Sequence, residues 1–595
     1  MESQQEPKVT IPPLIPLEYS NRMMLKTILE CGDDQIGLFG KTVVVGGWVK
    51  SSKEVKREPV AAALKPPTAA EAFPPSPGRK ELSCVEVVQS RIPFFKKIIR
   101  VFGVSSDSYP GVREKFEPVP KPPPPPPSKF FLQISDASSI SSLMVVIDSA
   151  VVPVSASHVL PTGTCILAQG VLEKSSSHGK QTIELKVEKI LHIGTVEPDT
   201  YPLSRKRLPL DSLRDYPHIR PRTTTVASIA RIRDTLDFAA HTFFHNHGFL
   251  HVQVPIITTI DSEGFSEKFQ VTTSKKWGLG SGSDADVRHE TVKAEQHIEA
   301  RDKSKLGTGV KPEVKEDFFG RQSYLSVSGR LHLESYACAL GNVYSFGPRF
   351  RAEKTGSIKQ VAEMWVVEVE MAFSQLKIWL ISLIGVFQDS MKCAEDCFKF
   401  LCKWILDHCP HDMKFVTKRI DKTIVHRLEY MMSISYERIS YREAVDILRK
   451  VTDKTFETKL RWGVPLTAEH LSYLADDHYK RPVIIYDYPK AVKPFYVRLN
   501  DDGKTVAAFD MVVPKMGTVI TGSQSEERLD MLSARMKEFD LSRDQYEWYQ
   551  DLRKHGTVKH SGFRLGFDLM VLLMTGLTDV RDVVPFPRTH GKANN

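Results

Sequence analysis

The segment VYSFGPRFRAEKTGSIKQVAEMWVVEVEMA, residues 343–372, alternates apolar and polar residues on either side of a short polar loop, Gly356–Lys359. Tyr344 and Phe346 supply one buried face before the loop, and Trp365, Val367 and Val369 repeat that spacing after it. Two long alternating runs around a polar loop predict an antiparallel hairpin. Successive strand side chains point to opposite sides, so Glu368 and Glu370 share the face opposite the apolar set. Arg349, Arg351, Glu353 and Glu363 add charge to a stretch whose hydrophobicity reads as half-buried. Buried charge is costly unless paired or liganded. Two readings stay open: a polar pocket lined by this face, or cross-strand ion pairs on a solvated sheet surface.

At 595 residues the chain is long for one core, and about three domains is the expectation. Lys plus Arg number 81 against 72 Asp plus Glu, a net charge of +9 that suits a phosphate-bearing partner without requiring one. Cys393, Cys397, Cys402 and Cys409 fall close together inside a helical pattern, which reads as helix packing rather than zinc ligation. The opening MESQQEPKVT has no secretory or organelle-targeting pattern, and the apolar run Leu380–Phe387 is far short of a membrane span. The expected compartment is reducing and soluble, most simply the cytoplasm.

In chain order, residues 1–35 read as a flexible lead with one short helix at 21–29. Residues 36–197 read as a five-stranded OB-type β-barrel, with strands at 37–51, 130–134, 142–147, 165–172 and 182–192. Gly46-Gly47 marks a bulge or corner of that barrel. A Pro-rich insert at about 53–129 interrupts it, because such a composition packs as neither sheet nor helix. Inside the insert, 85–102 is basic and partly amphipathic, either an RNA or partner contact or a surface plug. Barrels of this size bind single-stranded nucleic acid on one face. Trp48, Phe130 and Phe131 are the nearest stacking candidates and equally good core residues.

A turn-rich linker follows at 198–222, then a helix at 223–247 with Val226, Ile229, Ile232, Leu236, Ala239 and Phe243 on one side. A strand is expected at 250–257, and a charged, mobile insert at about 273–317. Residues 374–448 are mostly helical, and strands resume at 483–485 and 494–514, the second folded at Asp501-Asp502-Gly503. A helix at 567–575 is preceded by Gly562 and Gly566, so its N-terminus can approach an anion. The whole is an α+β chain: a barrel, then a domain at 223–595 built on an antiparallel sheet flanked by helices. Neither a P-loop nor a dinucleotide GxGxxG is present, so a nucleotide would be held on the sheet.

An enzyme that activates an acid with ATP must neutralise phosphates, orient a carboxylate for in-line attack and place a magnesium. Arg351 is the natural phosphate or carboxylate clamp. Asp510 is a hard oxygen ligand for magnesium at a strand edge, and Glu263, in the turn Ser262-Glu263-Gly264, suits an ammonium. No general base is needed when a carboxylate attacks phosphorus. A surface or turn role is the alternative for each acid taken singly.

The residues then carry a resemblance. The helix and strand at 226–255 ending in Pro255, FRAE at 350–353, AEMWVVEVEMAF at 362–373, DDGKTVAAFD at 501–510, GSQSEER at 522–528 and RDVVPFPRT at 581–589 resemble class II aminoacyl-tRNA synthetases, of the asparaginyl family of the plant cytoplasmic kind. The likeness runs from about residue 36 to the C-terminus apart from the two inserts. It implies an anticodon-binding barrel, a class II catalytic domain and a homodimer formed through 226–255. It also implies activation of L-asparagine by ATP with Mg2+ and transfer to tRNA(Asn), with release of AMP and pyrophosphate.

By that resemblance Arg351 contacts the ATP α-phosphate and the substrate carboxylate, and Glu353 the adenine amino group. Gly566 and Arg564 fall on the nucleotide side. Glu263, the strand Ser328-Gly329, Arg330 and Ser523 border the amino-acid site, Glu368 reads the asparagine amide and Asp510 holds magnesium. Several positions depart from the family pattern. An Arg-His-Leu is Lys359-Gln360-Val361, and the glutamine of SGQ is Arg330. The second magnesium carboxylate is Thr518, the arginine that senses the substrate side chain is Ser525, and the arginine that grips the γ-phosphate is Leu569. Arg564 and Arg330 are introduced cations placed to compensate. Two other readings stand beside the ligase: a catalytically weak paralogue that binds tRNA as a dimer, and a tRNA-independent amide-forming enzyme.

Overall fold

The computed structural model describes residues 17–30, 37–56, 128–151, 160–175, 183–204, 207–273, 317–354, 356–374, 390–452 and 454–593. The basic segment 85–102, nearly all of the two inserts and the run Leu380–Phe387 lie outside them.

A short helix, α1 (Leu25–Leu29), precedes five strands: β1 (Thr42–Lys56), β2 (Ser128–Ser135), β3 (Leu143–Asp148), β4 (Cys165–Lys174) and β5 (Ile183–Gly194). They close as a barrel in the order β1-β2-β3-β5-β4, with β3 and β5 parallel and the other pairs antiparallel. Alternation buries Val43, Val45, Val49, Leu132, Ile134, Val145 and Ile147 inside it. A Cβ on Gly47 would lie 2.8 Å from the Ser135 carbonyl oxygen, which is why the wall tolerates only glycine there. β1 and β2 extend further into the Pro-rich region than the alternation alone predicted. Phe130 is core, whereas Trp48 is 36% exposed beneath the Arg222 guanidinium.

The rest of the described chain is organised on one sheet. Helix α2 (Thr224–Asn246) starts at Thr223, whose hydroxyl accepts the Val226 N–H, and ends at Gly248 in the left-handed region. The strand expected at 250–257 is two separate pieces, β6 (Leu250–His251) and β7 (Ile257–Thr258), with Pro255 between them. β7, β8 (Gln270–Val271) and β9 (Ser323–Leu325) form a small sheet. Ser328-Gly329, read as strand from the sequence, instead opens helix α3 (Arg330–Leu340) with Gly329 as its cap.

The hairpin is β10 (Asn342–Phe350) and β11 (Glu363–Ala372), antiparallel with Tyr344 opposite Val369. With β12 (Glu437–Ser440), β13 (Val483–Pro489), β14 (Thr505–Val513), β15 (Gly517–Gln524) and β16 (His560–Gly566) it forms an eight-stranded sheet, ordered β12-β13-β14-β15-β16-β11-β10-β6. The sheet is mixed rather than wholly antiparallel, because its two outermost pairs, β12–β13 and β10–β6, are parallel. Residues 494–500 make only isolated bridges to Val506 and Ser525 instead of the expected strand.

Period-two alternation divides this sheet into two faces. Val367, Val369, Phe563, Leu565, Ile520 and Phe509 pack on α2, on α4 (Ser390–His408) and on α6 (Phe567–Thr575). Each such apolar side chain contributes roughly 1.5–3 kcal/mol by leaving water. Cys397 and Cys402 of α4 belong to that core, where burial pushes both thiols well above their usual range. Trp365 departs from the expected buried set: it is 37% exposed, its backbone N–H donating to Asp568. No described helix is long and apolar enough to cross a membrane.

Candidate active site

The opposite face carries Glu368 and Glu370 on β11, Gly562, Arg564 and Gly566 on β16, and Thr521 and Ser523 on β15. A cleft of about 490 Å³ opens over it. Its lining brings together Glu263, Ser328, Arg330, Arg351, Glu353, Ser523, Arg564 and Gly566, eight residues singled out from the sequence. Glu368 and Asp510 are not in that lining.

Arg351, just past β10, is the cleft's central cation. Its Nη2 donates to both oxygens of Glu263, at 2.6 and 2.8 Å, and its Nη1 to Glu353 at 3.1 Å. Burial alone would lower the Arg351 pKa, but the Glu263 charge and the Glu353 hydrogen bond outweigh it and raise the pKa. The second Glu353 oxygen accepts Gln360 Nε2 at 2.7 Å, so the departure at Gln360 places an amide on the same carboxylate.

Glu263 is positioned by a residue the sequence reading passed over. The Asp261 carboxylate accepts the N–H groups of Glu263 and Gly264, both at 2.9 Å, and of Ser266 at 3.0 Å, with Gly264 at φ 90°. An Asp three residues ahead of a turn glycine was the available signal. Lys359 fastens the hairpin loop by donating to the Lys515 and Met516 carbonyls at 2.8 and 2.9 Å.

Below the cleft lies a buried ionic layer. Glu368 is 0% exposed and takes Ser328 Oγ at 2.7 Å, the Gly329 N–H at 3.0 Å and Arg349 Nε at 2.9 Å. Burial would raise its pKa, but Arg349 and Arg564 hold it down to about 2. The expectation that Glu368 faces an asparagine amide meets a carboxylate whose oxygens are already engaged. Of the hairpin charges, Arg349 and Glu368 pair across strands in a buried layer, whereas Arg351 and Glu353 line a polar pocket.

Arg330 points inward as well: Nη1 donates to Ser523 Oγ and Nη2 to Glu370, both at 2.9 Å. Glu370 meets His560 Nδ1 at 2.7 Å, and His560 Nε2 lies 3.1 Å from Glu334, which also pairs with Arg553 of α5 (Glu547–Lys554). Gly562 serves this layer rather than an anion, because a Cβ there would lie 1.9 Å from the Val369 carbonyl and 2.4 Å from Glu370. Ser525 is 1% exposed, beside Glu370 and out of the cleft lining.

Burial would lower the His560 pKa, but Glu334 and Glu370 push it up to about 9 from 6.5. A raised folded-state pKa gives stability that is complete below 6.5 and lost as pH rises through about 9. Thermal melts should therefore show the midpoint falling across this window, and His560→Gln should flatten the slope. A wild-type midpoint unchanged between those limits would contradict the pairing.

Asp510 sits outside the cleft lining with both carboxylate oxygens 2.8 Å from Lys493 Nζ. Thr518 lines the cleft where a second carboxylate was sought, and the described residues hold no cluster of three potential metal ligands. A lone carboxylate already neutralised by an ammonium does not fit a magnesium held by the protein. Leu569, on the first turn of α6, lines the cleft against Gly566.

This fold and cleft have counterparts among known proteins. Residues 306–590 match the family model described as tRNA synthetases class II (D, K and N). The asparaginyl-tRNA synthetase of Pyrococcus horikoshii, solved with asparaginyl-adenylate, superimposes with a TM-score of 0.66 at 24% identity, covering 96% of this chain and 99% of that one. Cytoplasmic asparagine–tRNA ligase 2 of Arabidopsis thaliana is 47% identical over 98% of this chain and 97% of its own length. Cytoplasmic asparagine–tRNA ligase 1 of the same plant is 36% identical over 97% and 95%. The chain belongs to the asparaginyl-tRNA synthetases of class II.

Proposed function

We propose that this chain is an asparagine–tRNA ligase, condensing L-asparagine with ATP to an adenylate and passing it to tRNA(Asn). The observation that carries the reading is the convergence of Arg351, Glu353, Glu263, Ser328 and Arg564 on one cleft. The class uses Mg2+ with ATP generally, and magnesium here arrives as part of that substrate.

Arg351 takes the carboxylate and α-phosphate, displacing its contact with Glu263, which turns to the substrate ammonium. Glu353, steadied by Gln360, accepts from the adenine amino group. Ser328 and Ser523 present hydroxyls on the amino-acid side. The carboxylate attacks phosphorus directly, so no protein base is required.

Support for tRNA comes from a groove of about 1160 Å³ beside the barrel, where Lys50, Arg222, Lys414, Lys418 and Arg419 line the wall with Trp48. Support for a homodimer comes from apolar exposure near α2 and β6: Phe238 at 65%, Leu250 at 52% and Ile256 at 45%. Leu250→Asp should shift the chain toward monomer in sedimentation analysis; an unchanged dimer would remove β6 from the interface. The compartment we assign is the cytoplasm, in keeping with the plant relatives.

A second reading, a weakly catalytic dimer that retains tRNA binding, is favoured by one observation: Leu569 and Thr518 line the cleft in place of charged groups. Charging of a tRNA(Asn) transcript with labelled asparagine separates the two. Aminoacylation that saturates with asparagine supports the ligase. Binding of the transcript without charging supports the second reading.

A further inference from the structure

Arg564 is held less closely than the other arginines of the cleft. Arg351 is fixed by Glu263 and Glu353, and Arg330 by Glu370 and Ser523. Arg564 donates no hydrogen bond to any described residue, and its guanidinium stops 3.9 Å from Glu263 Oε1 with the side chain only 19% exposed. The backbone fixes its root: position 564 lies mid-sheet, opposite Glu368 of β11 and Thr521 of β15.

Burial and the neighbouring Arg351 charge both pull the Arg564 pKa below the usual arginine value. Arg351 and Arg564 both face the Glu263 carboxylate, with Glu353 and Glu368 close by, so the two guanidinium groups stand together as a pair that an arriving anion can bridge when it displaces Glu263. Alternation along β16 also locates that anion. Gly562 stands at the Glu370 end, beside Arg330 and Ser523, and Gly566 at the Leu569 end. Arg564 is midway, where the amino-acid half of the cleft meets the nucleotide half.

We propose that Arg564 is the second half of an anion cradle with Arg351, contacting the oxygens at the junction of substrate carboxylate and α-phosphate. The inference rests on the ligase reading above. A carboxylate oxygen forms a bond to the α-phosphorus as the bond from that phosphorus to the β-bridging oxygen breaks. Pyrophosphate departs with the electron pair. Charge on the non-bridging α-oxygens then lies between two guanidinium groups already in place, where fixed donors act most strongly.

The test uses the full-length chain with Arg564→Ala and Arg564→Lys, each first shown to melt as the wild type does. The probe is a sulfamoyl analogue of asparaginyl-adenylate, followed by calorimetry, alongside asparagine-dependent ATP–pyrophosphate exchange. Arg564→Ala should weaken analogue binding and lower kcat by about 10²-fold, with the KM for each substrate moving far less, and lysine should recover part of the loss. A wild type that binds the analogue through Arg564 without exchanging removes the ligase reading and keeps the cradle. Analogue binding undiminished in Arg564→Ala, faster exchange in that variant, or no analogue binding by the wild type overturns the cradle.

Discussion

Arg351→Ala should lower asparagine-dependent ATP–pyrophosphate exchange by about 10²–10³-fold, the cost of removing one fixed donor to the transferring group. Arg351 donates hydrogen bonds to both Glu263 and Glu353. Its removal leaves those two acids facing the incoming carboxylate and phosphates with Arg564 as the nearby cation. The loss should appear in kcat and kcat/KM together, since the contact tightens as charge develops on phosphorus. Arg351→Lys should recover only part, because an ammonium cannot donate as a planar fork to two acceptors. Exchange within a few-fold of wild type would show that activation does not pass through this residue.

Leu569→Arg should act in the other direction, raising exchange by about 10-fold or more, part of the 10²–10³ that one charged contact contributes. Leu569 opens α6 at the cleft wall, with its side chain over Gly566 and only partly packed on the core. A longer side chain can keep its stem on that apolar surface and carry its head into the cleft. A cation in the first turn of a helix opposes the helix dipole by about 0.3–1 kcal/mol, a small cost beside the expected gain. The readout is the exchange rate at saturating ATP. A rate unchanged by the new arginine would mean that the nucleotide's outer phosphates do not lie against α6.

The barrel, the hairpin and the apolar stripe of the long helix were legible because their signals are local. Alternation at period two survives in Val43–Val45 and in Val367–Val369 whatever lies elsewhere in the chain. Where the reading departed, the missing information was a partner distant in sequence. Asp510 is paired with Lys493, and Glu368 with Arg349 and Ser328, and the residues around either acid announce none of these partners.

The layer from Arg330 through Glu370 and His560 to Glu334 draws on α3, β11 and β16, and no window of sequence contains it. The strand expected at 250–257 failed for a local reason: Pro255 supplies no donor, and only Leu250–His251 reaches the sheet. Ser328-Gly329 was misread because a helix cap and a strand end look alike in a short polar run.

The central claim is that this cleft activates asparagine with ATP through its arginines. Its most direct test is ATP–pyrophosphate exchange by the purified chain with Mg·ATP and L-asparagine, in the absence of tRNA. Exchange that depends on asparagine, saturates, and disappears in Arg351→Ala is the predicted result. No asparagine-dependent exchange from a folded protein that still binds tRNA would contradict it and leave the chain a tRNA-binding relative of the ligases.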